Sequence, residues 1–173
     1  MLDRFERDVL SVPEATHVVI LGGVNDIAAG SPADQIVDAL FALARRAADH
    51  GIQPMLGTIT PFMSTAFDAL RTDTNEKTRH AVNLAVRSQP YWPAVDFAAH
   101  IYETGDPTRL ATVFDSGDGL HPNDAGALAL AEAIPLGALT GSPNARRSRE
   151  RRPPDEVAAP VPDGRPVRTP RRR

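Results

Sequence analysis

The stretch THVVILGG, residues 16–23, limits the possible folds more than any other part of the sequence. It is a short, continuous run of aliphatic, mainly β-branched side chains that ends in two glycines. Such runs are typical of strands buried on both faces, which occur in parallel sheets covered by helices on either side. The chain is therefore predicted to be an α/β protein.

The clearest helical pattern covers residues 31–51. Ser31 is placed to cap this helix, Pro32 suits its first turn, and Asp34 lies where a capping acid belongs. Apolar residues recur along it at helical spacing, and Gly51 is a typical helix end. The first predicted strand is thus followed by a helix that can cross back over a sheet.

The remaining elements continue this alternation of strand and helix, and they are predicted at residues 53–62, 73–88, 93–99 and 122–139. Asp73 and Glu76 are positioned as a capping pair for the second helix. The last helix carries Leu128, Ala131 and Ile134, and it is expected to be disturbed near Pro135. Because strand and helix alternate three times, the sheet should be parallel with right-handed crossovers, in a three-layer α/β/α sandwich of flavodoxin-like type.

Composition divides the chain into an acidic domain, residues 1–141, and a basic tail, residues 142–173. The tail has ten arginines, four acidic residues, seven prolines and no aromatic residue. It cannot bury enough apolar surface to offset its ordering entropy, so it is predicted to be disordered. Ten positive charges against four negative ones give the tail +6, so the domain carries −9 within a total of −3.

This charge distribution argues against a nucleic-acid-binding domain, which needs a concentrated basic face. The tail is interpreted as a solvated extension, with binding to acidic surfaces or nucleic acid as the alternative. The chain has no cysteine, which excludes disulfides and thiolate metal sites. It has no apolar run long enough to span a membrane, and MLDRFERDVL lacks the apolar core of a secretion signal. As written, the sequence favours a soluble intracellular protein.

The first candidate motif, GGVNDIAAG at residues 22–30, directly follows the first strand. One interpretation is a plain turn, because glycine and Asn-Asp pairs often follow strands. The other is catalytic, since the side-chain amide of Asn25 could donate to an oxyanion at the end of the strand. Asp26 is more plausible as a residue that fixes the loop.

The second candidate motif, FDSGDGLHPNDAG at residues 114–126, precedes the last helix. Asp118 and His121 predict a general base whose ring is oriented by a carboxylate. A metal site of Asp115, Asp118 and His121 is a weaker alternative, since no second histidine lies nearby. A simple turn at Asp118-Gly119, or a helix-start histidine ahead of Pro122, is the third.

Together, GVND at residues 23–26 and DGLHP at residues 118–122 resemble two motifs of the SGNH (GDSL-like) hydrolases. Their order, with α/β segments between them, makes the resemblance more specific than either motif alone, and it covers roughly residues 3–139. It implies a five-stranded parallel sheet in the order 2-1-3-4-5. It also implies hydrolysis of esters, such as acetylated sugars, lipids or small acyl esters, without a cofactor.

The same resemblance implies a role for each matched residue. Asn25 would be an oxyanion-hole donor, His121 the base and Asp118 its orienting acid. The supporting motif residues would be Gly23, Asp26 and Pro122. No metal is implied.

The nucleophile of that family, the serine of a Gly-Asp-Ser motif after the first strand, has no match here. None of the serines follows an apolar strand in a tight turn, and they are Ser11, Ser31, Ser64, Ser88, Ser116, Ser142 and Ser148. The fold is therefore expected to lack its first strands. The edge of the HVVIL strand would then be open to pairing with another chain.

Three hypotheses follow from the absent serine. The chain could be the C-terminal part of an esterase, inactive alone, with any secretion signal in the missing part. It could be a pseudo-enzyme or a split half-domain completed by an N-terminal complementing chain. It could also be a non-enzymatic module whose basic tail binds polyanions, which salt-dependent binding of residues 142–173 would support.

Overall fold

The computed structural model describes residues 1–140, and the predicted tail lies outside them. Two short helical segments, Leu2–Arg4 and Glu6–Leu10, come first. The elements that follow are β1 (His17–Ile20), α1 (Val24–Ala28), α2 (Ala33–Asp49), β2 (Gln53–Gly57), α3 (Asp73–Ser88), β3 (Ala94–Val95), α4 (Phe97–Ile101), β4 (Tyr102–Glu103), β5 (Asp106–Leu110), a 3₁₀ helix (Thr112–Phe114), α5 (Asp124–Glu132) and α6 (Leu136–Leu139).

The main sheet is parallel and has the order β1-β2-β3. The prediction of a parallel α/β protein is confirmed. Within the described residues β1 is an end strand that pairs only with β2, in a register that places His17 opposite Gln53. The Thr16 carbonyl accepts the Gln53 N–H at 2.8 Å, so residues 16, 18 and 20 present their backbone groups to β2. By the same alternation, residues 17, 19 and 21 present theirs to the open edge.

Helices cover both faces of this sheet. Ile20 and Leu56 point to the face on which α2 and α3 lie, and they belong to the larger core cluster. Val19 and Met55 point to the other face, against α6 and the end of α5. This second cluster has only three fully buried residues, Met55, Val95 and Phe97. Side chains that alternate across each strand thus produce the predicted three-layer arrangement.

The third predicted strand was too long. Only Ala94–Val95 pairs with β2, and Phe97–Ile101 is a helix. The Thr58 hydroxyl accepts the Ala98 N–H and donates to Asp96 Oδ1, both at 2.9 Å. These bonds turn the backbone into α4 instead of along the sheet.

The helix predicted over residues 122–139 is interrupted around Pro135, where a disturbance was expected, and so forms two helices, α5 and α6. Its apolar residues lie differently than the spacing indicated. Leu128 is 60% exposed and Ala131 is also exposed, while Ile134 is half-buried in the second cluster. Leu136, in α6, is 74% exposed. This side of the domain therefore presents apolar side chains to solvent.

Two predicted helix caps were wrong. Pro32, not Ser31, is the N-cap of α2, and Ser31 forms no side-chain cap there. The bounds of α3 are as predicted, but Thr72 caps it by accepting the Asn75 N–H at 3.1 Å. Glu76 instead holds the buried Arg79 through two hydrogen bonds of 2.6 and 2.7 Å.

The antiparallel hairpin of β4 and β5 was not predicted. Its sequence, YETGDPTRL, is polar and contains a proline, so it lacks the apolar alternation by which strands are recognised. No helix among residues 1–140 is long and apolar enough to cross a membrane.

Candidate active site

The Asn25 turn lies at the carboxyl edge of the parallel strands. Gly23 follows β1 and is the N-cap of α1. Its φ of +114° is a left-handed conformation that favours glycine. A β-carbon at Gly23 would lie 2.8 Å from Ile59 Cδ1, so this turn packs directly on the segment that follows β2. The glycine therefore permits both the turn and its close approach to the neighbouring strand end.

Asn25 and Asp26 occupy the first turn of α1, and both are exposed. Their backbone carbonyls accept the N–H groups of Ala29 and Ser31, at 3.0 and 2.9 Å. The Asp26 carbonyl thus closes this turn, and its side chain makes no hydrogen bond within residues 1–140. The Asn25 side chain has no hydrogen-bond partner within residues 1–140, so its amide is free to donate to a ligand.

The Asp118–His121 pair lies in the loop between β5 and α5. His121 Nδ1 lies 2.6 Å from Asp118 Oδ2, and the other oxygen, Oδ1, accepts the N–H groups of Leu120 and His121 at 2.9 and 2.8 Å. The side chain of His121 is 67% exposed. One carboxylate therefore binds the ring and the backbone that carries the ring.

These contacts determine the protonation of the neutral imidazole. The hydrogen bond from His121, together with the two backbone N–H groups, holds the pKa of the Asp118 carboxyl well below its ordinary value. An ionised carboxylate can only accept hydrogen bonds, so Nδ1 must carry the proton. Nε2 then keeps its lone pair, and it makes no hydrogen bond within residues 1–140. A histidine in this state can act as a general base.

Asp115 and Asn123 shape this loop, a role that was not predicted from the sequence. Asp115 Oδ1 accepts the N–H groups of Gly117 and Gly119, both at 2.9 Å. Asn123 caps α5 through the Gly126 N–H at 2.9 Å, and its amide donates to the Asp115 carbonyl at 3.1 Å. The D-S-G and H-P-N-D patterns are recognisable as an Asx turn and a helix N-cap. Pro122 is half-buried and forms an isolated bridge with Asp115.

The structure places no serine hydroxyl in contact with His121 Nε2 within the described residues. Ser116, the nearest serine in sequence, lies beside the acid instead, with its hydroxyl 3.5 Å from Asp118 Oδ1. Its backbone N–H donates to the His121 carbonyl at 2.9 Å, so it closes the back of the loop. Residues 1–140 also contain no group of three or more ligating side chains arranged for a metal ion.

A loop-borne histidine with its orienting acid, beside a parallel, helix-covered sheet, supplies two of the three members of a Ser-His-Asp triad. The family comparison makes this specific. The model of the GDSL-like Lipase/Acylhydrolase family matches residues 1–129, and the chain belongs to that family. The predicted resemblance to GDSL-like hydrolases is thus confirmed. A search of curated proteins finds no match.

Solved structures share the fold. A proposed acylhydrolase from Bacteroides fragilis is 24% identical with a TM-score of 0.67, over 80% of this chain and 67% of its own. A GDSL-like lipase from Bacteroides thetaiotaomicron is 22% identical with a TM-score of 0.66, over 80% and 68%. A lipolytic G-D-S-L family protein from Veillonella parvula is 18% identical with a TM-score of 0.58, over 77% and 69%.

Proposed function

We propose that this chain supplies the base, its orienting acid and one oxyanion donor for the hydrolysis of carboxylic esters by a serine mechanism. His121 is the base, Asp118 orients it, and Asn25 donates to the oxyanion. The nucleophilic serine comes from outside these 173 residues, so the chain alone is inactive as a serine esterase. The substrates are small acyl esters, acetylated sugars or lipids, and no cofactor takes part.

The chemistry follows from the free Nε2 lone pair. His121 Nε2 takes the proton of the serine hydroxyl while the serine oxygen attacks the ester carbonyl carbon. The carbonyl oxygen becomes an oxyanion, to which the Asn25 amide donates. The imidazolium, stabilised by Asp118, then gives its proton to the departing alcohol as the ester C–O bond breaks. Water attacks the acyl-serine in the same way, which releases the acid and restores the serine.

The observation that carries this proposal is the 2.6 Å contact between His121 Nδ1 and Asp118 Oδ2, with Nε2 left free. A histidine that only began a helix would need no such carboxylate. The lowered pKa of Asp118 keeps that carboxylate charged throughout the neutral range, where an imidazolium must be stabilised.

The test measures hydrolysis of p-nitrophenyl acetate by the chain alone and by the chain mixed with a segment that carries a Gly-Asp-Ser strand of a GDSL-like relative. We expect no serine-dependent rate from the chain alone, because loss of a nucleophile costs about six orders of magnitude in kcat. The mixture should gain a rate that His121→Ala abolishes. His100→Ala is the control, since His100 is an exposed histidine whose Nδ1 bonds only the Asp96 carbonyl. Activity that survives His121→Ala would refute the assignment.

The open edge of β1 favours a more specific second candidate, a split half-domain completed by a partner chain. A groove of about 300 Å³ lies beside Gly23, just beyond β1, between the face of α2 that carries Ile36 and Leu40 and the first residues of the chain, 1–3. A partner strand parallel to β1 would satisfy the outward backbone groups of His17, Val19 and Leu21. The strand-completion experiment above separates this candidate from a pseudo-enzyme, for which binding would occur without hydrolysis.

A further inference from the structure

The hydroxyl of Ser64 connects two segments that the sequence separates widely. It accepts the Leu110 N–H at 3.0 Å and donates to the Gly119 carbonyl at 3.1 Å. A hydroxyl has one hydrogen and two lone pairs, so both bonds can form at once. Ser64 therefore ties the end of β5 to the loop that carries Asp118 and His121.

A second contact reinforces this connection two residues further on. The Ala66 N–H donates to the Asp118 carbonyl at 3.2 Å, one residue from the Gly119 carbonyl that Ser64 holds. Both bonds reach the backbone directly beside the carboxylate that binds the His121 ring. The position of that carboxylate is thus set partly by residues 64–66, which follow β2.

Residues 64–66 are themselves anchored in the core. Thr65 is fully buried, its N–H donates to the carbonyl of buried Phe62 at 2.9 Å, and its own carbonyl accepts Arg71 Nη1 at 2.9 Å. The Met63 N–H donates to the Thr108 carbonyl at 2.9 Å, which links the same segment to β5. Ser64 therefore links the loop to a segment that is itself held in place by the core.

We infer that Ser64 is a positioning residue for the Asp118–His121 pair. By holding the Gly119 carbonyl it keeps Asp118 where it binds Nδ1–H of the ring, and so keeps the Nε2 lone pair outward. The importance of this tautomer for catalysis rests on the proposed function. The positioning itself does not rest on the proposed function, because the tautomer of the His121 ring can be measured without any substrate.

The test is the tautomer of His121 in the full chain, read from the ¹⁵N shifts of the ring in alkaline solution, at about pH 9. The wild type should carry its proton on Nδ1. Ser64→Ala should raise the population of the Nε2–H tautomer about tenfold, as expected when one net hydrogen bond to the loop is lost. Ser64→Thr, which keeps a hydroxyl, should restore the wild-type ring.

Ser88→Ala is the matched control, because the Ser88 hydroxyl also bonds a backbone carbonyl, that of Leu84 at 2.8 Å, but far along α3. It should leave the ring unchanged. A Ser64→Ala protein with the wild-type tautomer would overturn the inference. Such a result would leave the ester-hydrolysis proposal standing, since that depends on the rate with His121→Ala.

Should Ser64→Ala not fold, amide hydrogen exchange of the wild type gives the answer. If the loop is held as inferred, the amides of Leu110 and Ala66, which form the connection, should open together with those of Leu120 and His121. The exchange rates of these four amides should then lie within about threefold of each other. Exchange of Leu120 and His121 more than about tenfold faster than that of Leu110 would show that the loop opens independently, and the inference would be wrong.

Discussion

Gly119 lies directly on the backbone of Ser64. A β-carbon at position 119 would be 2.2 Å from the Ser64 carbonyl oxygen and 2.7 Å from the Thr65 amide nitrogen. Gly119 also has a φ of +71°, in the left-handed region. Backbone meets backbone at this point, so no side chain can move aside to admit a larger residue. The loop that holds the Asp118–His121 pair can approach the backbone of Ser64 and Thr65 only through a glycine.

The first prediction compares Gly119→Ala with Gly117→Ala. Both positions have positive φ, +71° and +112°, but a β-carbon at Gly117 meets no atom within 4 Å. Gly117→Ala should therefore lower the free energy of unfolding by about 1–2 kcal/mol, the cost of a left-handed non-glycine residue. Gly119→Ala should cost about 2 kcal/mol more, because the clash adds to that strain. Urea denaturation measures both, and equal losses would contradict the described contact.

The second prediction concerns Asn83, a buried residue of α3. Its Oδ1 accepts the Ile59 N–H at 2.7 Å and its Nδ2 donates to the Ile59 carbonyl at 2.8 Å. Asn83→Ala leaves the buried Ile59 N–H without a partner, so the free energy of unfolding should fall by about 2–3 kcal/mol. Asn25→Ala is the control, because this exposed asparagine should change stability by less than about 0.5 kcal/mol. Thermal or urea unfolding distinguishes the two.

The third prediction is a pH dependence due to Asp118. Because the pKa of this carboxyl is lowered in the folded protein, the unfolded chain binds the proton more readily. The stability that the carboxylate contributes is therefore fully present above the unfolded pKa of about 3.9 and is lost as the pH falls through the folded-state pKa. The difference in unfolding free energy between wild type and Asp118→Asn should shrink from about pH 5 to about pH 2.

The control for this titration is Asp49→Asn, which removes an exposed carboxylate at the end of α2. It shows what the loss of one surface charge does by itself. A wild-type advantage over Asp118→Asn that stayed constant over the acid range would mean that the hydrogen bonds to Asp118 do not stabilise its ionised form.

The fourth prediction separates the two edges of β1. Val19 presents its N–H to the open edge, whereas Val18 presents its N–H to β2. Val18→Pro should destabilise the isolated chain by about 3 kcal/mol or more, because it removes a hydrogen bond of the sheet. Val19→Pro should cost the isolated chain less, yet prevent completion by a Gly-Asp-Ser strand. Sedimentation of the mixture measures completion, and normal binding by Val19→Pro would exclude this edge as the docking site.

Elements with a long periodic pattern could be predicted from the sequence. The helix predicted over residues 31–51 is found as α2, because its 17 residues contain enough turns for the apolar spacing to be distinctive. The segment FAAHI within residues 97–101 has no such length, and a short apolar run fits a strand or a buried helix equally well. Thr58 decided between them, through hydrogen bonds to Asp96 and Ala98 from 38 and 40 residues away.

The same distinction applies to the candidate site. Asp118 and His121 are three residues apart, so their contact could be predicted from spacing alone. Ser64 bonds Gly119 from 55 residues away, through a hydroxyl in a loop with no motif. A contact of this kind depends on how two segments distant in sequence pack together, and no local pattern of residues encodes that packing.

Because the edge of β1 is open, the stability of this domain should depend on the concentration of any partner that pairs with that edge. Any strand that pairs with the folded edge, and not with the unfolded chain, raises the melting temperature in proportion to the logarithm of its free concentration. A partner at about one hundred times its dissociation constant would add about 2.7 kcal/mol. The melting temperature of this chain would then report the concentration of whatever occupies the edge.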